Sequence, residues 1–307
     1  MKSKGPLAAS FLLLALSGVI WWSNKKAATA EKTPPPSATV KLLNVPEDQI
    51  QEIEIKKRAG DSVHLQRADS KWQIANPEPL RADPDAVSSM LSSLSSLSSD
   101  RTIEETATSL DQYGLTQPAM ELDITDKSKK STRLLIGDTT PAGSAVYASI
   151  AGDPRVFAFS NYKKDSFDKS ANDLRDKRLL PFDSDKVSII ELTAKKQTIV
   201  LGRSKDEWQI VKPKPFRADR SQVEELLRNL RDAKMDLSAS ADDKRVSAAF
   251  NTGTPFATVR ITDVSGTQEL QVHKNKDDYY AKSTAVAGIY KTSSATGTGM
   301  DLSLIHI

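Results

Sequence analysis

The sequence predicts an α+β fold made of two tandem copies of one antiparallel meander–helix–hairpins unit, which follow an N-terminal transmembrane helix. A twelve-residue stretch recurs at a spacing of 136 residues, apolar residues alternate at period two around it, and an uncharged segment of 20 residues stands near the N-terminus. Alternation at period two is typical of strands with one buried face. An uncharged apolar segment of this length is typical of a membrane span.

The uncharged segment, Gly5–Asn24, predicts a single membrane-spanning helix. At about 1.5 Å per residue, a helix of this length extends about 30 Å, the thickness of the hydrocarbon core of a bilayer. The Trp21–Trp22 pair stands at its far end, where amphipathic rings favour the membrane interface. The short tail and the large following domain favour an uncleaved signal-anchor over residues 1–32, with the N-terminus inside. Cleavage after Ala30 is the alternative, because residues 28–30 are small.

Residues 33–39 follow the anchor as a Pro-rich linker, which is expected to be stiff. Anchored or cleaved, the signal exports the rest of the chain from the cytoplasm. The expected partner of residues 5–24 is therefore the lipid bilayer, with the body on the extracytoplasmic side.

Composition excludes several kinds of chemistry. The 307 residues include no cysteine, which excludes disulfides, thiolate metal sites, a cysteine nucleophile and a lipoprotein anchor. Beyond residue 32 the chain has 38 basic and 39 acidic residues, so the body lacks the positive field of a nucleic-acid binder. Three histidines leave little room for a metal site, and no nucleotide, metal or nucleophile motif is present. We therefore predict no catalytic residues, no metal and no cofactor.

The repeat is clearest in one twelve-residue stretch. Trp72–Asp83 reads W-Q-I-A-N-P-E-P-L-R-A-D and Trp208–Asp219 reads W-Q-I-V-K-P-K-P-F-R-A-D, with eight identical positions. The same spacing pairs Ile53 with Ile189. Such a match over a fixed spacing indicates a tandem duplication.

Each copy is predicted to begin with three short strands and a helix. Apolar residues alternate in three runs, which in copy one are Ile53–Ile55, Val63–Leu65 and Trp72–Ile74. The P-x-P that follows is expected to end this part of the sheet, because proline cannot continue a central strand. Asp83 and Asp219 are predicted N-caps of helices whose apolar residues recur at helical spacing.

The remainder of copy one predicts two hairpins. The predicted strands are Met120–Ile124 with Thr132–Ile136, and Ala145–Ala148 with Val156–Phe159. Because helices do not alternate with strands, a parallel α/β fold is disfavoured.

The two copies differ at their ends. Copy one continues through Asp173–Leu180, whereas copy two shows no equivalent after Tyr290. The last six residues, L-S-L-I-H-I, are what a transposon end used in sequencing-library preparation encodes. The sequence therefore predicts repeat unit 1 at residues 40–182, a truncated repeat unit 2 at residues 183–301, and adapter read-through at residues 302–307.

The repeated stretch supplies the candidate site residues, for which two interpretations exist. In the first, tryptophan and arginine form equivalent contact sites for a partner. In the second, which we favour, tryptophan packs the helix on the sheet, arginine anchors the turn and aspartate caps the helix. A catalytic residue seldom has to persist in both copies, whereas a folding device does. The residues concerned are Trp72, Arg81, Asp83, Trp208, Arg217 and Asp219.

Several motifs together resemble the bacterial "domain of unknown function 4340" family. They are the I-x-I strand, the repeated W-x-I-x-x-P-x-P-x-R-A-D, Y-G-L-x-x-P at Tyr113–Pro118, I-G-x-x-x-P at Ile136–Pro141 and D-L-R-D-K-x-L-L at Asp173–Leu180. The resemblance implies an envelope protein anchored in the inner membrane and facing the periplasm. It also implies an accessory role beside ABC-type transporter components, and it brings no catalytic residues.

The leading hypothesis is therefore a non-enzymatic, membrane-anchored module that scaffolds or assists a transport or envelope complex. Two alternatives are a hydrolase of envelope polymers that uses a carboxylate pair, and a glycan or ligand receptor that uses Trp72 and Trp208.

Overall fold

The computed structural model describes residues 39–205, 207–238 and 243–300, which form two compact units that meet between Arg175 and Asp176. The predicted membrane anchor, residues 33–38 of the linker and residues 302–307 lie outside the described residues. Within the described ranges, no helix is long and apolar enough to span a membrane.

Unit 1 is one antiparallel sheet of nine strands in the order β4-β3-β2-β1-β6-β7-β8-β9-β5. The strands are β1 (Ile50–Lys57), β2 (Ser62–Ala68), β3 (Lys71–Asn76), β4 (Leu80–Arg81), β5 (Arg101–Glu104), β6 (Met120–Asp126), β7 (Ser131–Thr139), β8 (Ala145–Ile150) and β9 (Val156–Ser160). The helices are α1 (Pro84–Ser95), α2 (Asn161–Asp165) and α3 (Ala171–Leu174), with 3-10 turns at Glu47–Gln49 and Asp111–Tyr113.

Unit 2 repeats this sheet strand for strand, in the order β13-β12-β11-β10-β15-β16-β17-β18-β14. The strands are β10 (Ile189–Ala194), β11 (Gln197–Ser204), β12 (Glu207–Lys212), β13 (Phe216–Arg217), β14 (Met235–Asp236), β15 (Thr254–Asp263), β16 (Gly266–Asn275), β17 (Asp278–Ser283) and β18 (Ile289–Thr292). The helices are α4 (Arg220–Arg231), α5 (Lys244–Thr252) and α6 (Ser294–Thr298), with a 3-10 turn at Ser184–Lys186.

These sheets confirm the antiparallel prediction and make each unit mostly β. The two predicted hairpins of copy one form a single meander, β6 to β9. Hydrogen bonds between β6 and β1 join it to the meander of the first three strands. The expectation that P-x-P ends the sheet is wrong. The turn at the prolines reverses the chain, so that Leu80 and Arg81 pair back onto Ile74 and Gln73 as an edge strand.

The spacing between the copies changes within the first hairpin. Ile53 lies opposite Leu65, and Ile190 lies opposite Leu201. Ile53 is therefore equivalent to Ile190, and the predicted pairing with Ile189 is wrong. The reason is that the hairpin of unit 2 has one residue fewer between Ile190 and Leu201 than the hairpin of unit 1 has between Ile53 and Leu65. Ile190 is buried, whereas Ile189 is 43% exposed on the opposite face.

The segment that precedes each first strand is also repeated. In unit 1, the N–H of Leu42 donates to the carbonyl of Leu97 at 3.0 Å. In unit 2, the N–H of Leu179 donates to the carbonyl of Ala233 at 2.9 Å. Residues 176–182, which the sequence assigns to the end of copy one, thus pack as the beginning of unit 2.

Copy two also continues past Tyr290 further than the sequence predicts. Helix α6 follows β18 as α2 follows β9, and the buried Met300 corresponds to the buried Phe167.

One helix covers the sheet core in each unit. Asp83 begins α1, and its apolar stripe of Val87, Met90, Leu91 and Leu94 is buried against the inward residues of the sheet. Burial of each such side chain contributes about 1.5–3 kcal/mol relative to exposure. The exposed serines of α1 form the opposite, polar face, as predicted.

The Y-G-L and I-G motifs of unit 1 lie against each other, one at a 3-10 turn and the other in β7. Gly114 ends the 3-10 turn with a φ of +66°, in the left-handed region that favours glycine. A Cβ atom at Gly137 would collide with the carbonyl oxygen of Tyr113 and lie 3.1 Å from the side chain of Leu115. The Y-G-L and I-G motifs are therefore explained by close packing of one backbone on the other.

We expect Gly137→Ala to destabilise the protein by more than about 2 kcal/mol, because the obstacle is backbone that cannot move aside. The measurement is urea unfolding followed by circular dichroism. The control is Gly152→Ala. A Cβ atom there would meet no atom within 4 Å, so only its φ of +86° lowers the unfolding free energy, by about 1 kcal/mol. Equal losses of stability in the two variants would contradict the packing explanation.

Candidate functional site

The repeated tryptophans are packing residues in both units. Trp208 is 5% exposed within the core of unit 2, and Trp72 is half-buried against the core of unit 1. An arginine lies beside each ring, with the guanidinium carbon of Arg67 5.7 Å from the Trp72 ring centre and that of Arg203 5.9 Å from the Trp208 ring centre. These distances fit a cation–π contact. Trp208 therefore offers little free ring surface to a ligand.

The repeated aspartates stand at the starts of helices. The carboxylate of Asp83 accepts hydrogen bonds from the backbone N–H groups two and three residues later, at 2.9 and 3.2 Å. Asp219 does the same at 2.8 and 3.4 Å, and both residues have φ −72° and ψ 116°. The hydroxyl of Ser221, at 2.6 Å, lowers the pKa of the Asp219 carboxyl from its usual value. Both side chains thus satisfy helix N–H groups that would otherwise lack partners.

The repeated arginines lie on the short edge strands. Arg81 pairs with Gln73 across β4 and β3, and Arg217 pairs with Gln209 across β13 and β12. The Arg217 side chain is 84% exposed, and its Nη2 lies 3.7 Å from Oε1 of Glu207. At this exposure the ion pair contributes little to stability. Of the six predicted site residues, Arg217 and Asp219 are exposed and thus open to a partner.

A cleft opens beside Trp208, between helix α4 and the start of unit 2. Its volume is about 290 Å³. The side chains that line it are Ser184, Asp185, Arg203, Trp208, Arg220, Glu224, Leu227, Arg228 and Arg231. Four arginines against two carboxylates give this lining a formal charge of +2. We call this space the arginine cleft.

The equivalent positions of unit 1 carry a different charge. The arginine, the tryptophan and the leucine persist as Arg67, Trp72 and Leu91, whereas the α4 residues Glu224, Arg228 and Arg231 are replaced by serines of α1. With Glu47 and Asp48 at its rim, this side of unit 1 has a formal charge of −1. This contrast is not among the predictions from the sequence. The signal available was the arginines at 220, 228 and 231, which fall on one face of a helix.

The outer face of the unit 2 sheet carries exposed apolar side chains. Ile189 is 43% exposed and Val211 is 50% exposed. They lie on either side of Gly202, which pairs with Ile189 and whose Cβ, if present, would lie 3.0 Å from a Val211 methyl. We call these three residues the outer apolar patch. Unit 1 has Glu52, Gln66 and Ala75 at these positions.

A larger hollow of about 700 Å³ lies in unit 1 beside the β6–β7 hairpin. Three of its four charged side chains, those of Asp123, Asp126 and Arg133, are engaged with one another or with the turn. Nε of Arg133 donates to Asp123 at 2.7 Å, and Asp126 accepts from the backbone N–H of Ser128 at 2.8 Å. Across the residues that the structure describes, no three His, Asp or Glu side chains are grouped to hold a metal ion.

The burial of the repeated residues predicts how each variant behaves. We expect Trp208→Ala to cost about 3–5 kcal/mol of unfolding free energy, because it empties part of a core. Arg217→Ala is expected to change stability by less than about 0.5 kcal/mol, since its side chain is exposed. Chemical denaturation of both variants checks these values. A loss above about 1 kcal/mol for Arg217→Ala would show that the arginine anchors its turn.

Comparisons with known proteins agree with the duplication. The model of the family described as Domain of unknown function (DUF4340) matches residues 72–209 and 208–307. The matches begin at the two equivalent tryptophans, in β3 and β12. The boundary between the compact units lies elsewhere in the chain, between residues 175 and 176. No curated protein and no solved structure matches the chain. Because the two family matches together span more than half of the sequence, the chain belongs to the family described as Domain of unknown function (DUF4340).

Proposed function

We propose that this protein is a non-enzymatic module, tethered to the bacterial inner membrane by residues 5–24, that binds a protein partner of a transport or envelope complex on the extracytoplasmic side. The observation that carries the proposal is the outer apolar patch of unit 2.

The patch departs from what an antiparallel sheet with one open face requires. Such a sheet buries one face and presents polar side chains on the other. Unit 1 follows this rule with Glu52 and Gln66, whereas unit 2 exposes Ile189 and Val211 on either side of Gly202. Singly exposed apolar residues need no explanation, whereas apolar side chains that form a continuous patch favour a contact surface.

The surroundings of the patch favour a protein as the partner. On the same face, Nη1 of Arg260 lies 3.4 Å from Oε1 of Glu191, and Nε of Arg260 lies 2.6 Å from Oε2 of Glu269. An apolar centre with a rim of charged side chains of both signs is the usual composition of a protein–protein interface. A lipid surface would instead favour a basic rim.

The partner hypothesis predicts a specific loss of binding. The chain is cross-linked to its neighbours in membranes and then purified. We expect a transport or envelope protein to be purified with it. For the double variant Ile189→Lys/Val211→Lys, we expect the amount of that protein recovered to fall about tenfold or more. Loss of an apolar side chain from the centre of an interface costs over 1 kcal/mol of binding free energy. Val264→Lys is the control, since Val264 is 85% exposed in the turn between β15 and β16.

Thermal unfolding of each variant shows whether it is folded. Equal recovery of the partner by the wild type and the double variant would contradict the proposal, and so would the absence of any envelope or transport protein.

The proposed location is tested separately with introduced thiols, for which the absence of native cysteine is an advantage. Ala59 is exposed in the turn between β1 and β2, so Ala59→Cys should react with a membrane-impermeant maleimide once the outer envelope is opened. Ser3→Cys should react only after the inner membrane is lysed, because an N-in anchor leaves it in the cytoplasm. The reverse pattern of labelling would refute the orientation.

A further inference from the structure

The arginine cleft has the composition and shape of an anion site. One wall comes from the sheet, where Nη1 of Arg203 donates to the carbonyl oxygen of Asp185 at 2.9 Å while its guanidinium lies beside Trp208. The opposite wall is helix α4, which contributes Arg220, Arg228 and Arg231. Cationic groups therefore face the same space from two directions.

The positive charge is only partly balanced within the cleft. Nε of Arg220 donates to Oε1 of Glu224 at 2.6 Å, which neutralises one arginine. Nε of Arg231 lies 3.8 Å from Oδ1 of Asp232, which is too long for a hydrogen bond. Asp232 still balances part of the Arg231 charge as an ion pair, so the excess positive charge lies mainly at Arg228.

From this arrangement we propose that the arginine cleft binds a phosphate group, carried by a small soluble ester or by a lipid headgroup. A phosphate monoester has a charge of about −1.5 to −2 and three acceptor oxygens that point in different directions. Arginines on two walls match this geometry, whereas a planar carboxylate is satisfied by one arginine fork. The lining charge of +2 suits such an anion, and the volume of about 290 Å³ leaves room for the group that carries it.

Unit 1 provides an internal comparison. Its equivalent helix face carries Ser88, Ser92 and Ser95, and the hydroxyl of Ser88 lies 3.4 Å from Oε1 of Glu47. The shared tryptophan and arginine are therefore common to the fold, while the helix arginines belong to unit 2 alone. The inference does not rest on the proposed partner, because it concerns another surface of unit 2.

The test uses the full chain in detergent and titration calorimetry with two probes, inorganic phosphate and the short-chain lipid dihexanoyl phosphatidic acid, whose headgroup is a phosphate monoester. The variant Arg228→Gln/Arg231→Gln removes two charges and retains residues that favour helix. The matched control is Lys244→Gln/Arg245→Gln, which removes two charges from exposed positions of α5 in the same unit.

We expect the α4 variant to bind the phosphate probe at least about tenfold more weakly, since charge-assisted hydrogen bonds are lost. The α5 control is expected to bind as the wild type does. Preference for inorganic phosphate supports a soluble ester, and preference for the lipid supports a headgroup.

Two results would overturn the proposal. One is that neither probe binds the wild-type chain. The other is that the α5 control loses as much affinity as the α4 variant, which would mean attraction by general surface charge. A second α4 variant, Arg228→Ser/Arg231→Ser, places the unit 1 residues at these positions and must reproduce the loss.

Discussion

The pairing of β1 with β6, and of β10 with β15, is the interaction on which each unit depends. It joins a meander from before the helix to a meander that follows it, and so turns two small sheets into one. The register sets Ile53 against Ile124 and Ile190 against Ile261, so that these side chains face the helix. A slip of one residue would turn them to solvent. Without this pairing, each small sheet would expose an edge prone to association with another chain.

The residues that pack and cap the helix of each unit are the same in both copies. A tryptophan near the start of β3 or β12 packs beside an arginine, and an aspartate caps the helix that covers the sheet. Such devices are needed wherever the fold is built, which explains their repetition without any common ligand. The Y-G-L and I-G motifs of unit 1 serve the same end, because two backbones approach there more closely than a side chain would allow.

Function is therefore sought where the copies differ. Unit 1 keeps charged and polar groups on its open sheet face and serines on its helix, and unit 2 replaces them with apolar residues and arginines. These replacements do not serve the core, since the residues concerned are exposed. Both proposed binding surfaces lie on unit 2, and duplication explains how this division arose: one copy can acquire contacts while the other retains the fold.

The sequence by itself determined the duplication, the longer strands of unit 1, the helix that follows Asp83 or Asp219 in each unit, and the family, because these depend on periodicity and on residues adjacent in the chain. It placed the strands of both meanders, and the expected membrane anchor rests on residue pattern alone. Only the tertiary structure decided that β1 pairs with β6, that Leu80 and Arg81 return to the sheet, and that Ile190 rather than Ile189 faces the core. Strand partners depend on hydrogen bonds between distant residues, and a hairpin one residue shorter reverses which side chain is buried. For the same reason the arginine cleft was not predictable, since Arg203 and Arg228 meet only when the helix lies on the sheet.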